Sequence, residues 1–412
     1  MKRLEALLQQ LCPDGVIYKR LGDIATITRG GNFQKKDYRE NGFPCIHYGQ
    51  IYTKFNLFVT EPISHISDEK AAQQKKAKPG DIIMAVTSEN IEDVCKCIAW
   101  LGNREIAVSG HAAIIHHRLN PKFLAYFLSS SLFYKQKLSM AQGTKVIEVS
   151  PEKLKNILLP VPPLEVQHEI VRILDHFTEL TAELTAELTA RKKQYYYYRN
   201  RLMSHLQDSQ TVQLRSVIAH SCSGATPSKS NSDYYTDGTI PWLRTQDVRF
   251  NEIYSVDSFI TEKAVAETGA KWIPKNCVIV AISGATAGRC AINKIPITTN
   301  QHCLNLVIED KKALYKYIYY CICNQHEELL AKKQGARGDL NASLILGTEI
   351  PLPPLPEQRR IVSILDRFDA LCNDLTSGLP AEIAARQKQY EYYRDKLLTF
   401  KERLTIKSQP PK

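Results

Sequence analysis

Polar and basic residues that suit nucleic-acid contact gather in loop-like stretches in both halves of this chain. Arg, Lys, Gln and Asn can form paired hydrogen bonds with guanine and adenine edges, while Gly, Ser and Thr allow close backbone approach to phosphate. A solvated loop is the alternative for any single residue, so the set matters more than its members. The stretches include "TRGGNFQKK" (28–36), "HYGQIYTK" (47–54) and "QGTK" (142–145), then "SGATPSKSN" (223–231), "WLRTQD" (242–247), "SGATAGR" (283–289) and "QGARGD" (334–339).

Individual DNA contacts are predicted within these stretches. The chain carries 54 Lys and Arg against 43 Asp and Glu, a net charge of +11, which suits a polyanionic partner. The candidates in the first half are Arg29, Asn32, Gln34, Lys35, Lys36, His47, Tyr48, Gln50, Lys54, Ser88 and Lys145. Those in the second half are Thr226, Ser228, Lys229, Arg244, Thr245, Gln246, Asp247, Thr286, Arg289 and Arg337.

Motifs for catalysis are missing from the sequence. It has neither the Gly-x-x-x-x-Gly-Lys-Ser/Thr phosphate loop nor the His-Glu-x-x-His zinc motif. "NPKF" (120–123) resembles the Asn-Pro-Pro-Phe of amino-methylating enzymes, but Asn followed by Pro is also an ordinary helix start. The 11 scattered cysteines lack zinc-site spacing and suit a reducing cytoplasm. We therefore expect a cytoplasmic, non-catalytic chain that binds no metal and no cofactor itself.

The sequence is internally duplicated. "PVPPLEVQHEIVRILDHFTEL" (160–180) returns as "PLPPLPEQRRIVSILDRFDAL" (351–371), and "RKKQYYYYRNRLM" (191–203) returns as "RQKQYEYYRDKLL" (386–398). Each Pro-rich start predicts an extended hinge that leads into a helix. The residues ahead of each copy correspond only loosely, with His111 and His302 as one matching pair. Two similar modules with diverged middles suggest two similar tasks on two different targets.

The repeated segments predict two long helices. One is expected over 165–206, and the second is expected to break near Gly378 and Pro380. Apolar residues at spacings of three and four predict a coiled-coil seam, so the two helices should pack antiparallel on each other or dock a partner. The seam residues are Ile170, Ile173, Phe177, Leu180, Leu184 and Leu188, then Ile361, Ile364, Phe368, Leu371 and Leu375.

The fold class predicted is α+β, with two pseudo-twofold-related modules separated by the two helices. Short β-rich runs such as "GDIIMAV" and "NCVIVAI" alternate with helix-like stretches in each module. The predicted division is an N-terminal segment (1–15), a first module (16–159), a central helix (160–206), a second module (207–350), a C-terminal helix (351–404) and a tail (405–412).

Taken together, these features resemble the DNA-specificity subunit of type I restriction-modification systems. The resemblance rests on the twin Pro-rich and Tyr-rich segments, on "WLRTQDV" with "SGATAGR", and on the duplicated layout. It implies that each module is a target-recognition domain for half of a bipartite DNA site. It also implies two partner methyltransferase subunits that use adenosylmethionine on adenine N6, and a motor-nuclease subunit that uses ATP and Mg²⁺. An orphan DNA-binding regulator and a scaffold that binds only protein remain alternatives.

The tetrapeptide Thr-Ala-Glu-Leu occurs twice in succession, at 181–184 and 185–188. By resemblance to this family, the number of repeat units is expected to set the length of the unread gap between the two half-sites. Four helical residues add about 6 Å and about 40° beyond a full turn, whereas one base pair of B-DNA rotates by about 35°. A plain preference for good helix formers explains the helix but not the repetition.

Overall fold

The computed structural model describes residues 2–204, 206, 209–332, 339–374 and 376–403. The chain divides into two compact units, the first formed by Met1–Thr185 with Ile383–Lys412 and the second by Ala186–Glu382. The division falls inside one long helix, Leu164–Ser204, and within its four-residue repeat. Each unit therefore combines one module with parts of the long helices.

The first module contains two five-stranded sheets. One of them, called the large sheet from here on, is built around three buried strands, because apolar runs such as Ile82–Ala85 are covered on both faces. The strands of this sheet lie in the order Ala25–Arg29, Ala112–His117, Ile82–Ala85, Cys97–Trp100 and Phe58–Val59. The second sheet has the order Tyr38–Arg39, His65–Ile66, Phe43–Ile46, Ile106–Val108 and Lys76–Ala77. Two further pairs are Tyr18–Arg20 with Leu158–Pro160 and Thr87–Ser88 with Ile147–Glu148.

Helices cover the large sheet of the first module. The side chains from Phe123 to Leu128 are all buried, which gives this sheet its main cover. Asn120 caps that helix by accepting hydrogen bonds from the backbone of Lys122 and Phe123, so the "NPKF" stretch is a helix start. The helices that precede the long helix are Lys2–Leu11, Leu21–Ile24, Tyr48–Thr53, Asp68–Ala72, Pro121–Leu128, Ser131–Met140 and Pro151–Leu154, with a 3₁₀ turn at Lys35–Asp37.

The second module repeats the topology of the large sheet, whereas its other sheet has fewer strands. Its large sheet has the order Ile218–Ser223, Cys303–Ile308, Val278–Ala281, Cys290–Asn293 and Glu252–Ile253, which matches the first module strand for strand. Its smaller sheet has the order Phe259–Ile260, Ile240–Leu243 and Thr298–Thr299, and Thr211–Gln213 pairs with Glu349–Pro351. The helices are Glu262–Glu267, Tyr315–Asn324, His326–Ala331 and Ala342–Leu346, with 3₁₀ turns at Leu214–Val217, Ser232–Tyr234, Thr245–Asp247 and Gly284–Thr286.

The predicted helices are confirmed, including the break in the second one. The central helix runs from Leu164 to Ser204, and the C-terminal pair is Leu355–Asn373 and Leu379–Leu397. In the second unit, Tyr195 and Tyr198 of the long helix lie against the ring of Phe368, with centroids 6.4 and 5.6 Å away. Earlier on the long helix, Lys192 lies near Cys372, so the two segments run antiparallel. In the first unit, the rings of Phe177 and Tyr393 stack at 5.4 Å.

The predicted seam needs a correction at its start. Leu174 and Leu365 are fully buried, whereas their neighbours Ile173 and Ile364 are only half-buried. The first turns of each helix pack into the core of a module as well as along a helix, which widens the buried face to residues such as Val166 and Val171. Ile170 and Ile361 are buried as predicted. Phe177, Leu180, Leu184, Leu188 and Phe368 are half-buried, Leu371 is 38% exposed, and Leu375 lies outside the described residues.

Candidate nucleic-acid interface

Loops of the first module converge beside the ends of its two sheets. Gly31 bridges to Ser109, and the Ser109 hydroxyl accepts a hydrogen bond of 2.8 Å from the backbone N–H of Tyr48. A Cβ added to Gly30 would lie 2.3 Å from the carbonyl oxygen of Ser109. This glycine is therefore needed for close approach to a neighbouring loop of the same module, a role that the sequence did not distinguish from approach to phosphate.

The side chain of Arg29 contacts two of the neighbouring segments in this module. Its Nε donates to the carbonyl oxygen of Gly110 at 2.7 Å, and its Nη2 lies 3.0 Å from Oε1 of Glu148. The side chain is 46% exposed, so it keeps a solvent-facing part. Such a guanidinium positions the loops and still presents positive charge at the surface.

Tyrosine and histidine rings pack together, with tilted planes, at the centre of this loop cluster. The ring of Tyr48 lies 4.5 Å from that of His47 and 5.0 Å from that of His111, and the hydroxyl of Thr87 lies 3.2 Å from Nδ1 of His111. Burial lowers the pKa of His47, and the charges of Lys35 and His111 lower it further. A polyanion at this surface would oppose that shift, because it stabilises the protonated imidazole.

Gln50, one of the predicted DNA contacts, lies in the interior of the first module. It is 9% exposed, its Nε2 donates to the Ser64 hydroxyl at 2.6 Å, and its Oε1 accepts from the backbone N–H of His47 at 2.9 Å. Asp247 holds the same place in the second module, where its Oδ2 accepts from the backbone N–H of Arg244 at 3.1 Å. Both residues cap a helical turn that follows a buried strand, so both belong to the scaffold of the interface.

The remaining candidates of the first module lie at its surface. Gln34 precedes the short 3₁₀ turn, where its backbone N–H donates to Oδ2 of Asp37 at 2.7 Å. Ser88 is half-buried in the strand that pairs with Ile147–Glu148. The exposed candidates are Asn32, Gln34, Lys35, Lys36, Lys54 and Lys145.

In the second module a shallow depression combines basic and aromatic residues. Lys229, Tyr235, Trp242, Arg244 and Phe259 line it, and the indole of Trp242 donates to the carbonyl oxygen of Ala225 at 3.0 Å. Within the described part of the chain, Nε of Arg244 is buried without a hydrogen-bond partner. An unpaired buried donor is uncommon in folded proteins, which sets Arg244 apart from the other residues that line the depression.

The other candidates of the second module are spread over neighbouring loops. Thr226 donates to Oε1 of Gln301, and the hydroxyls of Ser228 and Ser230 lie 2.8 Å apart. Thr286 ends the 3₁₀ turn Gly284–Thr286, and its carbonyl oxygen accepts from the backbone of half-buried Arg289 at 3.0 Å. Thr245 is half-buried, Gln246 is exposed, and Arg337 lies outside the described residues.

Two loops that differ in sequence occupy the same topological place. Residues 87–96 in the first module and 283–289 in the second each connect a buried strand to the next antiparallel strand. The first loop carries carboxylates such as Glu89 and Asp93, whereas the second carries Gly, Ala, Thr and Arg. The scaffold is thus shared while the surface chemistry differs.

Sequence reasoning left His111 and Tyr52 out of the candidate set, although both belong to the ring cluster. The hydroxyl of Tyr52 donates to the carbonyl oxygen of Thr87 at 2.7 Å. The matching of His111 with His302 was the signal for the first of these residues, and the position of Tyr52 within the stretch 47–54 was the signal for the second. Across the residues that the structure describes, no group of three or more His, Cys, Asp or Glu could hold a metal ion. Within the same residues, no helix is long and apolar enough to span a bilayer.

Comparisons with known proteins agree with this architecture. A family profile described as "Type I restriction modification DNA specificity domain" matches twice, at residues 13–191 and 207–385. The chain is 40% identical over 269 residues to the type I restriction enzyme EcoR124I/EcoR124II specificity subunit of Escherichia coli, an alignment that covers 63% of this chain and 66% of that protein. It is 32% identical over 317 residues to a putative type I restriction enzyme specificity subunit of Haemophilus influenzae, covering 73% of this chain and 76% of that protein.

Solved structures with low sequence identity share the fold. The S subunit of a type I restriction-modification system from M. genitalium aligns with a TM-score of 0.54 at 14% identity, covering 93% of this chain and 96% of that one. A chain from a study of complex assembly and conformational transition in the type I system aligns with a TM-score of 0.62 at 18% identity, covering 93% and 97%. At such identities the likeness concerns the fold alone.

Proposed function

This chain belongs to the family of type I restriction-modification DNA specificity domains, and we propose that each of its two modules reads one half of a bipartite DNA site. As a specificity subunit it is the DNA-recognition component of such a system and not its catalyst. The observation that carries the proposal is the shared strand order of the two large sheets combined with different loops at equivalent places. A common scaffold with two loop sets suits the recognition of two different short sequences.

The polar loops supply the contacts in this proposal. Exposed Lys35, Lys36 and Lys145 are placed to meet phosphates, which gives affinity without sequence preference. Arg244, which lines the depression of the second module, and exposed Gln246 are suited to base edges in the second half-site. Gln50 and Asp247 keep the loops in shape and make no base contact.

The long helix serves as the spacer between the half-sites in this proposal. Its repeat places Leu184 and Leu188 on the half-buried face and Glu183 and Glu187 in solvent. Within the repeat, the hydroxyl of Thr185 donates to the carbonyl oxygen of Thr181 at 2.8 Å, as a regular helix allows. A unit added to the helix would therefore extend it by about 6 Å and rotate the residues beyond it by about 40°.

Partner subunits complete the proposed system. We infer that two methyltransferase subunits dock on this chain and that a motor-nuclease subunit joins them, with adenosylmethionine and ATP with Mg²⁺ bound by those partners. Tyr196, Tyr197 and Tyr392 are more than half exposed in the Tyr-rich ends of the helices, which leaves apolar area for a partner. Tyr195, in contrast, is buried against Phe368 and serves packing.

Methylation-site sequencing tests the proposal directly. The chain is co-expressed with the methyltransferase subunit of its system, and we expect a bipartite motif with one methylated adenine in each half. The variant Arg244→Ala should weaken recognition of one half by about 1–3 kcal/mol. Lys263→Ala in the same module, which removes an exposed ion pair with Asp233, is the control. Equal losses in both halves, or no motif at all, would contradict the two-module assignment.

A further inference from the structure

The joint between each module and its helix is held by a buried glutamine. Gln167 is 1% exposed, its Oε1 accepts from the backbone N–H of Asn120 at 2.8 Å, and its Nε2 donates to the carbonyl oxygen of Pro162 at 2.7 Å. In the second unit, Gln358 is fully buried and makes the same two contacts, with Leu314 at 2.9 Å and Pro353 at 2.8 Å. The Pro-rich segments are extended as predicted, but these contacts fix them in place, so they are not free hinges.

A carboxylate about two turns further along the helix, that of Asp175, makes a second contact with the module in the first unit. Oδ2 of Asp175, on the long helix, lies 2.6 Å from Nζ of Lys122, and its Oδ1 accepts from the hydroxyl of Tyr126 at 2.7 Å. Lys122 and Tyr126 lie one turn apart on the helix Pro121–Leu128, so both reach the same carboxylate. The ammonium of Lys122 also lies 4.8 Å from the ring centre of Phe58, on the edge strand of the large sheet.

The second unit repeats this arrangement. Oδ2 of Asp366 lies 2.8 Å from Nζ of Lys316, and its Oδ1 accepts from the hydroxyl of Tyr320 at 2.6 Å. Lys316 also lies 3.2 Å from Oε1 of Glu252, which holds the edge-strand position of Phe58. Burial lowers the pKa of Lys316, but Asp366 and Glu252 outweigh that effect and raise it overall. The ammonium therefore stays charged in this partly buried place.

From this geometry we infer that the two Asp-Lys-Tyr clusters are positioning devices that hold each recognition module at a fixed angle on its helix, so that the complex accepts only one gap between half-sites. The clusters join three elements in each unit: the helix, the module's own covering helix and the edge of its sheet. A single contact would let the module rotate about it, whereas the glutamine and the carboxylate together give two points of contact that prevent this rotation. This inference rests on the proposed bipartite recognition.

The same polar contacts occur in both copies although the surrounding loops differ, which separates this role from base reading. Neither cluster includes a residue of the candidate DNA interface. Replacement of Asp175 and Asp366 by Asn leaves the ammonium groups of Lys122 and Lys316 without that carboxylate, but these side chains are 33% and 27% exposed, so neither charge is deeply buried. The variants Asp175→Asn and Asp366→Asn therefore loosen the joint while keeping the shape of each side chain.

The test uses the complete complex of this chain with its methyltransferase subunit. Methylation rates are measured on duplexes whose half-sites are separated by the cognate gap, or by a gap one base pair shorter or longer. In the double variant Asp175→Asn/Asp366→Asn we expect preference for the cognate gap to fall about tenfold, the effect of losing about 1.4 kcal/mol from a charged hydrogen bond. Discrimination against wrong bases within either half-site should stay unchanged.

A second variant and matched controls make the result decisive. Tyr126→Phe/Tyr320→Phe removes one hydrogen bond from each cluster, keeps the ring packing, and should lower gap preference in the same direction. Glu357→Gln and Glu152→Gln break ion pairs of 2.7 Å that lie within a single helix or turn, and should leave gap preference intact.

Three results would overturn the inference. A lower melting temperature with unchanged gap preference would reduce the clusters to stability alone. Equal loss of gap and base discrimination would indicate general disruption of the modules. A wild-type complex that methylates a bipartite site but tolerates all gaps would remove this inference and leave the bipartite proposal standing, whereas the absence of any bipartite site would remove both.

Discussion

Insertion of a third Thr-Ala-Glu-Leu unit after Leu188 should lengthen the gap in the DNA site. The helix is continuous through this point, from Leu164 to Ser204, so the insertion adds four residues of helix. At 1.5 Å and 100° per residue this is about 6 Å and about 40° beyond a full turn. With a rise of about 3.4 Å and a rotation of about 35° per base pair, the step corresponds to between one and two base pairs.

The inward face of the helix limits which insertions are tolerated. Tyr195 is 6% exposed and packs against Phe368, so residues beyond the insertion must keep their orientation to preserve this contact. Four residues change that orientation by about 40°, whereas two residues change it by about 200°. The two-residue insertion should therefore disrupt the packing of the second unit and abolish methylation.

The assay is methylation-site sequencing of DNA from cells that express each variant with the methyltransferase subunit. We expect both half-sites to keep their sequences while the gap grows by one or two base pairs. Glu183→Gln, an exposed change inside the repeat that keeps its length, should leave the gap unchanged. An unaltered gap in the four-residue insertion would refute the spacer reasoning, and the repeat would then be an ordinary stretch of helix.

Other changes follow from the contacts of the first module. Gln50→Ala should lower the free energy of unfolding by about 1–3 kcal/mol, because the Ser64 hydroxyl and the backbone N–H of His47 lose their hydrogen-bond partner. Gln34→Ala, at an exposed position, should change it little, and chemical denaturation measures both. Burial lowers the pKa of His117 to about 4, so its contribution to stability is complete above about pH 6.5 and is lost as the pH falls toward 4, by about 3 kcal/mol. His117→Asn should remove that part of the acid sensitivity in thermal melts, while His168→Asn on the exposed face should not. Lys35→Ala should weaken DNA binding equally on all sequences and lower the slope of log affinity against log salt by about one, as measured by titration at several salt concentrations.

Local patterns in the sequence were sufficient for the duplication and the helices. The repeat of Ile170 and Ile361 in matching contexts, and of the Pro-rich starts, is visible without a structure because it depends on order along the chain. The break near Gly378 follows from backbone chemistry, since a helix ends where Gly and Pro interrupt its hydrogen bonds. Buried runs such as Ile82–Ala85 are likewise apolar enough to be recognised as strands.

The roles of individual polar residues depended on tertiary structure. Gln50 and Gln34 lie in equally polar stretches, yet one is a buried cap and the other is exposed. The difference comes from Ser64, a partner distant in sequence that local patterns do not reveal. The shift of the buried face from Ile173 to Leu174 has a similar origin, because the core of the module packs on the helix from a second side.

The sequence by itself determined that two related modules and two helices exist, because hydrophobic periodicity and repetition are properties of order along the chain. Only the tertiary structure decided which polar side chains are exposed and which form contacts between a module and its helix. Lys122 and Asp175 are 53 residues apart and form one ion pair. Such a contact arises from packing between elements, and each of its residues alone looks like any other charged surface position.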